Sequence, residues 1–62
     1  MAISLKAARI NAEMTQTEAA KALGISKSTL SNYEKYVTSP SIEASKRIAE
    51  LYGLPTDDIK WS

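Results

Sequence analysis

Three consecutive residues, Gly24, Ile25 and Ser26, restrict the possible folds more than any other feature, because they stand between two helical patterns. Gly ends a helix in the left-handed conformation at the least cost, and Ser is a favoured N-terminal cap. Ile25 supplies an apolar side chain that plugs the turn. We therefore predict two helices joined by so short a link that they cross at a steep angle.

The stretch from Gly24 to Thr29, "GISKST", also resembles a phosphate-binding loop in composition. A Walker loop needs Gly directly before the Lys and another Gly five positions earlier, so that backbone N–H groups close on phosphate. Ser26 and Lys21 occupy those positions. The preceding "TEAAKAL" has a helical pattern, whereas a phosphate loop follows a buried strand. The stretch is therefore interpreted as a turn between helices.

Length and composition exclude most enzyme classes. The 62 residues allow one small domain, residues 1–62, with no room for a second. Because the chain has no His and no Cys, His-based acid–base catalysis, Cys nucleophiles and His/Cys metal sites are excluded. No apolar run is long enough for a signal peptide or a membrane span. We expect a cytoplasmic protein that is not an enzyme and has no cofactor, metal or small-molecule ligand.

Helix caps and apolar spacing predict an all-α chain of four or five short helices with no strand. Ser4 is the expected cap of the first helix, and "TQTE" at Thr15–Glu18 forms a capping box at the start of the second. The fourth helix is expected to begin at Ser39 with Pro40 in its first turn and to end at Gly53. A last short helix follows, capped by Leu54 or Thr56. The predicted buried stripe of the fourth helix consists of Ile42, Ser45, Ile48, Ala49 and Tyr52.

The third predicted helix has two dissimilar faces. At about 100° per residue, Leu30 and Tyr33 lie on an apolar side. The opposite side is an arc of hydrogen-bonding side chains with two lysines and no carboxylate. The residues alone leave open whether this arc binds a partner or is an ordinary solvated face. Its members are Lys27, Ser28, Ser31, Asn32 and Lys35.

Several motifs at consistent spacing carry a family resemblance that extends from Leu5 to Ile59. They are "TQTEAAKALGIS" running into "STLSNYE", the later "PSIE" and "YGLP". On these motifs the chain resembles the phage Cro and repressor family of helix-turn-helix DNA-binding domains, also called the xenobiotic-response-element family. The resemblance implies a compact five-helix, lambda-repressor-like domain. Its helices 2 and 3 would form the helix-turn-helix, with helix 3 in the major groove of double-stranded DNA.

The resemblance also implies roles for individual residues. Arg9 and Glu34 match a structural ion pair beneath the recognition helix. Tyr36 departs from the family pattern, since many relatives have Gly there, and we expect the following loop to take a different path. The positions implied to face base edges are Lys27, Ser28, Ser31 and Asn32, and those implied to contact phosphates are Gln16, Thr17, Lys35, Tyr36 and Thr38.

The predicted function is that of a small transcriptional regulator, a repressor that binds a palindromic operator as a homodimer. Leu54, Ile59 and Trp61 are the candidate dimer residues, and closure of the protein's own core is the alternative role for them. A net charge of only +1 favours a second functional hypothesis. On that hypothesis the same scaffold is a protein-interaction module, an antitoxin-like or adaptor subunit.

Overall fold

Each of the four helices begins at a Ser or Thr whose hydroxyl accepts a hydrogen bond from the backbone N–H three residues later. The computed structural model describes residues 1–62 and contains these helices, one 3₁₀ turn and two short strands. In chain order the elements are β1 (Ile3–Ser4), α1 (Leu5–Asn11), α2 (Gln16–Leu23), α3 (Lys27–Glu34), α4 (Ile42–Tyr52), the 3₁₀ turn (Thr56–Asp58) and β2 (Ile59–Lys60).

The predicted starts of the first three helices are confirmed. Ser4 caps α1, and Ser26 caps α3 directly after Gly24 ends α2 with φ 71°. In the capping box, the Thr15 hydroxyl accepts from the Glu18 N–H at 3.1 Å, and the Glu18 carboxylate accepts from the Thr15 N–H at 2.9 Å. Donation from the Thr15 backbone, and then from its side chain, lowers the pKa of the Glu18 carboxyl because it favours the charged form.

The predicted start of α4 is wrong by two residues. Its cap is Ser41, whose hydroxyl accepts from the Ala44 N–H at 3.1 Å, and Pro40 lies before the helix. Ser39 and Ser41 are both suitable caps, but the carbonyl of Ser41 also accepts a hydrogen bond from the Ser45 hydroxyl at 2.8 Å. The predicted end is confirmed, since Gly53 takes φ 72°.

The placement of Ile42 in the buried stripe of α4 is also wrong. Ile48, Ala49 and Tyr52 are buried, but the side chain of Ile42 is 80% exposed. Ile42 is the first residue of the helix, and it borders an open groove instead of the core. An apolar side chain is therefore left on the surface at this end of α4.

The two ends of the chain form a parallel strand pair, in which Ile3 lies opposite Ile59 and Ser4 opposite Lys60. This pair overturns the prediction of a chain without strands. It also overturns the predicted fifth helix, because after Gly53 the chain makes only one 3₁₀ turn before Ile59 becomes extended at φ −117° and ψ 134°. The extended backbone directs Ile59 into the core, where it is 3% exposed. The observed architecture is thus four helices and a small strand pair.

All four helices and β2 contribute to one hydrophobic core. α1 and α2 supply small side chains that allow neighbouring elements to approach closely, and the largest fully buried side chains are Leu5, Leu30 and Ile48. No helix has the length and apolar character needed to cross a membrane. The core consists of Leu5, Ala8, Ala19, Ala20, Leu23, Leu30, Ile48, Ala49, Tyr52 and Ile59.

Candidate nucleic-acid interface

The outer face of α3 is the most distinctive polar surface of the molecule. Leu30 is fully buried and anchors the inner face of the helix to the core. On the outer side Lys27, Ser28 and Asn32 are exposed, and Ser31 between them is half-buried. The arc therefore presents a row of donors and acceptors on a helix whose own position is fixed by packing.

The only carboxylate of α3 does not reach this outer face. The Glu34 side chain is 4% exposed and pairs with Arg9, whose Nε donates to Glu34 Oε2 at 2.7 Å. A second bond, from an Arg9 terminal nitrogen to Glu34 Oε1 at 3.3 Å, makes the pair bidentate. Because Arg9 neutralises Glu34 internally, the outer face keeps the positive charges of Lys27 and Lys35 without a carboxylate beside them.

The same ion pair joins three elements. Another Arg9 nitrogen donates to the carbonyl of Met14, in the link between α1 and α2, at 2.9 Å. Gln16, the first residue of α2, donates from Nε2 to Glu34 Oε1 at 3.0 Å. This contact places the start of α2 against the last turn of α3, with the exposed Thr17 next to it. Gln16 retains one N–H and its carbonyl oxygen for another partner.

Tyr36 is not available for the phosphate contact that the sequence predicted. Its hydroxyl donates to the carbonyl of Lys60 at 2.8 Å and accepts from the N–H of Leu5 at 3.3 Å. The hydroxyl therefore donates one hydrogen bond and accepts one, both with backbone groups at the two ends of the chain. The backbone of Tyr36 takes φ 58°, the conformation that Gly would adopt most readily.

The remaining predicted residues fall into two groups. Lys35 caps the end of α3 and Thr38 follows in the loop, and both residues are exposed.

The three candidate dimer residues do not form one exposed patch. Ile59 is buried, Leu54 is half-buried, and half-buried Trp61 donates from its indole nitrogen to the carbonyl of Thr56 at 2.9 Å. For Ile59, closure of the protein's own core is the observed role.

Two further interactions were not foreseen from the sequence. Arg47 is exposed, but its guanidinium donates to the carbonyl of Leu23 at 3.1 Å. This bond satisfies one of the carbonyls that the end of α2 leaves without a helical partner. The second is the hydrogen bond between Gln16 and Glu34. A spacing of 18 residues between two polar side chains gives no periodic signal that could have indicated it.

Tyr52 places an unpaired hydroxyl in the interior. The residue is buried, and its hydroxyl oxygen has no hydrogen-bond partner. Burial raises the pKa of the phenol to about 12, the negative charge of Glu34 adds to the increase, and the positive charge of Arg9 opposes it. The phenol therefore stays neutral well above the pH at which an ordinary tyrosine ionises.

We expect Tyr52→Phe to leave the free energy of unfolding unchanged at pH 7 or to raise it by up to about 1 kcal/mol, because it removes an unsatisfied buried hydroxyl. The pKa of this group is higher in the folded than in the unfolded chain. The contribution of the neutral phenol to the free energy of unfolding is therefore fully present below about pH 10, and it is lost as the pH rises towards 12. Urea unfolding at several alkaline pH values should show a steeper loss for the wild type than for the variant. Parallel curves would contradict the raised pKa of Tyr52.

A family model described as helix-turn-helix matches residues 5–59, which include all four helices and the Arg9–Glu34 pair. The chain belongs to this helix-turn-helix family. The match begins at Leu5 and ends at Ile59, both of which are core residues.

Two relatives show which members of the helix-turn-helix family this chain is similar to. The chain is 33% identical over 51 residues to the cryptic phage CTXphi transcriptional repressor RstR of Vibrio cholerae, covering 82% of this chain and 46% of the relative. It is 42% identical over 53 residues to the HTH-type transcriptional regulator ImmR of Bacillus subtilis strain 168, covering 86% and 42%. The resemblance to phage repressors is confirmed. The chain spans less than half the length of either relative.

Proposed function

We propose that this chain binds double-stranded DNA in a sequence-specific manner and acts as a transcriptional regulator, a repressor. The observation that carries the proposal is the exposed arc of α3, which has two lysines and no carboxylate because Arg9 retains Glu34 inside. The major groove admits an α-helix and presents a distinct pattern of donors and acceptors for each base pair. The relatives are named as a repressor and a transcriptional regulator, which supports the same function here.

The base-reading roles follow from side-chain chemistry. An Asn amide can bind adenine N6 and N7 together, Lys donates to guanine O6 or N7, and Ser bonds with either partner. We assign these roles to Asn32, Lys27 and Ser28, with Ser31 beside them. Phosphate contacts are assigned to Gln16, Thr17, Lys35 and Thr38. Tyr36 is left out of this second set because its hydroxyl is bonded to the backbone of Leu5 and Lys60.

Chemical-shift mapping tests this surface directly. Isotope-labelled protein is titrated at low salt with a duplex of mixed sequence, which any DNA-binding surface contacts through phosphates. We expect the largest shifts at the start of α2, along α3 and in residues 35–39. Small shifts throughout, or shifts confined to the groove beside Ile42, would contradict the proposal and favour a protein-interaction role for the scaffold.

We propose further that the chain acts as a homodimer on a palindromic operator, with two α3 helices in successive major grooves. The candidate dimer surface is the groove between α4 and the 3₁₀ turn, here called the Ile42 groove. Exposed Ile42 and half-buried Trp61 give it apolar side chains, and exposed Lys46 and Asp57 give it opposite charges. With a two-fold axis through the groove, each Lys46 could pair with the other copy's Asp57. The Ile42 groove is lined by Ile42, Ser45, Lys46, Thr56, Asp57, Ile59 and Trp61.

Ile42→Asp is expected to abolish dimers, because it removes the exposed apolar side chain of the Ile42 groove and puts there a charge that an interface would have to desolvate. The variant should bind a palindromic duplex at least about tenfold more weakly than the wild type while keeping its affinity for a single half-site. Sedimentation of the protein–DNA complexes gives the stoichiometry. Ile10→Asp is the matched control, since Ile10 is exposed on α1 outside this groove. Dimers that survive Ile42→Asp but not Ile10→Asp would place the interface elsewhere.

A further inference from the structure

Tyr36 holds the end of α3 in a conformation that side chains normally avoid. Lys35 is the C-terminal cap of the helix, and Tyr36 follows with φ 58°. Its N–H donates to the carbonyl of Tyr33 at 3.1 Å, and the N–H of Val37 donates to the carbonyl of Asn32 at 3.0 Å. These two bonds are the pair that defines a Schellman ending of a helix, a position at which Gly is usual. A tyrosine there carries a backbone strain that Gly would not have.

The side chain of Tyr36 supplies interactions that Gly could not make. Its ring packs against the hydrophobic core, and its hydroxyl bonds to both ends of the chain, at Leu5 and Lys60. The N–H of Leu5 belongs to the first turn of α1 and has no partner within that helix. The hydroxyl therefore satisfies an otherwise free donor and links α1, β2 and the end of α3 at one point.

The residues after Tyr36 have few constraints of their own. Val37, Thr38 and Ser39 are exposed, and among their backbone N–H groups only that of Val37 donates within the protein backbone, to Asn32. Their path is set at its start by the conformation of Tyr36. A change in the Tyr36 ring position would alter both this path and the bond to the Asn32 carbonyl.

We propose that Tyr36 is a positioning residue for DNA binding: its hydroxyl fixes residues 37–39 in the orientation that meets the DNA backbone, and it does so without touching DNA. This inference rests on the proposed function, because the segment needs positioning only if it contacts phosphates. Tyr36 takes the backbone conformation that is usual for Gly at this position, and its hydroxyl bonds to the two chain ends, which Gly could not do.

Tyr36→Phe tests the hydroxyl, since it keeps the aromatic ring and removes both bonds. Ser4→Ala is the matched control: it removes the cap of α1 beside the same anchor point but leaves the hydroxyl of Tyr36 in place. In the free proteins, amide hydrogen exchange at Val37 should become about tenfold faster in Tyr36→Phe, the effect of losing one or two hydrogen bonds. It should change little in Ser4→Ala. Equal exchange at Val37 in both variants would overturn the anchoring role.

DNA binding is then measured across salt, well below the melting temperature of each variant. We expect Tyr36→Phe to keep the base preference and the salt dependence of the wild type, because residues 37–39 carry no charge. Its affinity for every duplex should fall by a similar factor, about three- to tenfold, through lost hydrogen bonds to phosphate. Ser4→Ala should keep the wild-type affinity. An unchanged affinity in Tyr36→Phe would overturn the positioning role even if its Tm falls. A wild type that binds no DNA would refute the proposed function itself, and the exchange data would still decide whether the hydroxyl anchors the loop.

Discussion

Arg9→Ala is expected to lower the free energy of unfolding by about 3–5 kcal/mol, because it leaves the buried carboxylate of Glu34 without its counter-charge. It also removes the donor to the Met14 carbonyl. Domains of this size hold only about 0.05–0.15 kcal/mol per residue, so the variant should be largely unfolded at 37 °C. Urea unfolding followed by circular dichroism measures the change.

A double variant separates the ion pair from general loss of packing. Arg9→Met combined with Glu34→Leu replaces both charges with apolar side chains of similar length, a change that is often neutral or stabilising for a buried pair. We expect it to be more stable than either single substitution. Arg9→Ala within about 1 kcal/mol of the wild type would contradict the structural role assigned to the pair.

Asn32→Ala is expected to weaken binding to the preferred duplex by about 1–3 kcal/mol, or roughly 5- to 150-fold, and to relax the preference at one base pair. The physical reason is the loss of an amide that can accept from and donate to one adenine at once. Fold stability should not decrease, because Asn32 is exposed and Ala is the stronger helix former.

Asn11→Ala is the matched control for this substitution. It makes the same chemical change at an exposed position on the last turn of α1 and should leave DNA affinity unchanged. Competition binding with duplexes that carry each single base change gives the preference at every position. If Asn32→Ala keeps the full base preference of the wild type, Asn32 does not read DNA.

Local signals in the sequence predicted the helix boundaries that depend on one or two neighbouring residues. The capping box at Thr15–Glu18, Gly24 and Ser26 were all recoverable, because a cap is a contact within one turn of the chain. The start of α4 was missed because Ser39 and Ser41 offer equivalent hydroxyls two residues apart. A rule that considers only the capping hydroxyl cannot choose between them, and the added bond from the Ser45 hydroxyl to the Ser41 carbonyl favours Ser41.

The strand pair could not be predicted in the same way. β1 and β2 have two residues each, which is too short for the alternation that identifies a strand. A weak signal was present in "IKW", where Ile59 and Trp61 alternate with Lys60. Tyr36 was misassigned for a related reason: its partners lie 31 and 24 residues away, so only the folded chain brings its hydroxyl to them. Long-range packing of this kind also decided the exposure of Ile42.

The decisive measurement for DNA reading by α3 is selection of bound duplexes from a random DNA pool, with binding of the selected sequences followed across salt. We expect an enriched inverted repeat with half-sites about one helical turn apart, and affinity that falls steeply as salt rises. The preference at one of the enriched base pairs should then relax in Asn32→Ala. No enrichment, with weak binding to every sequence alike, would contradict the proposal that the outer face of α3 reads DNA.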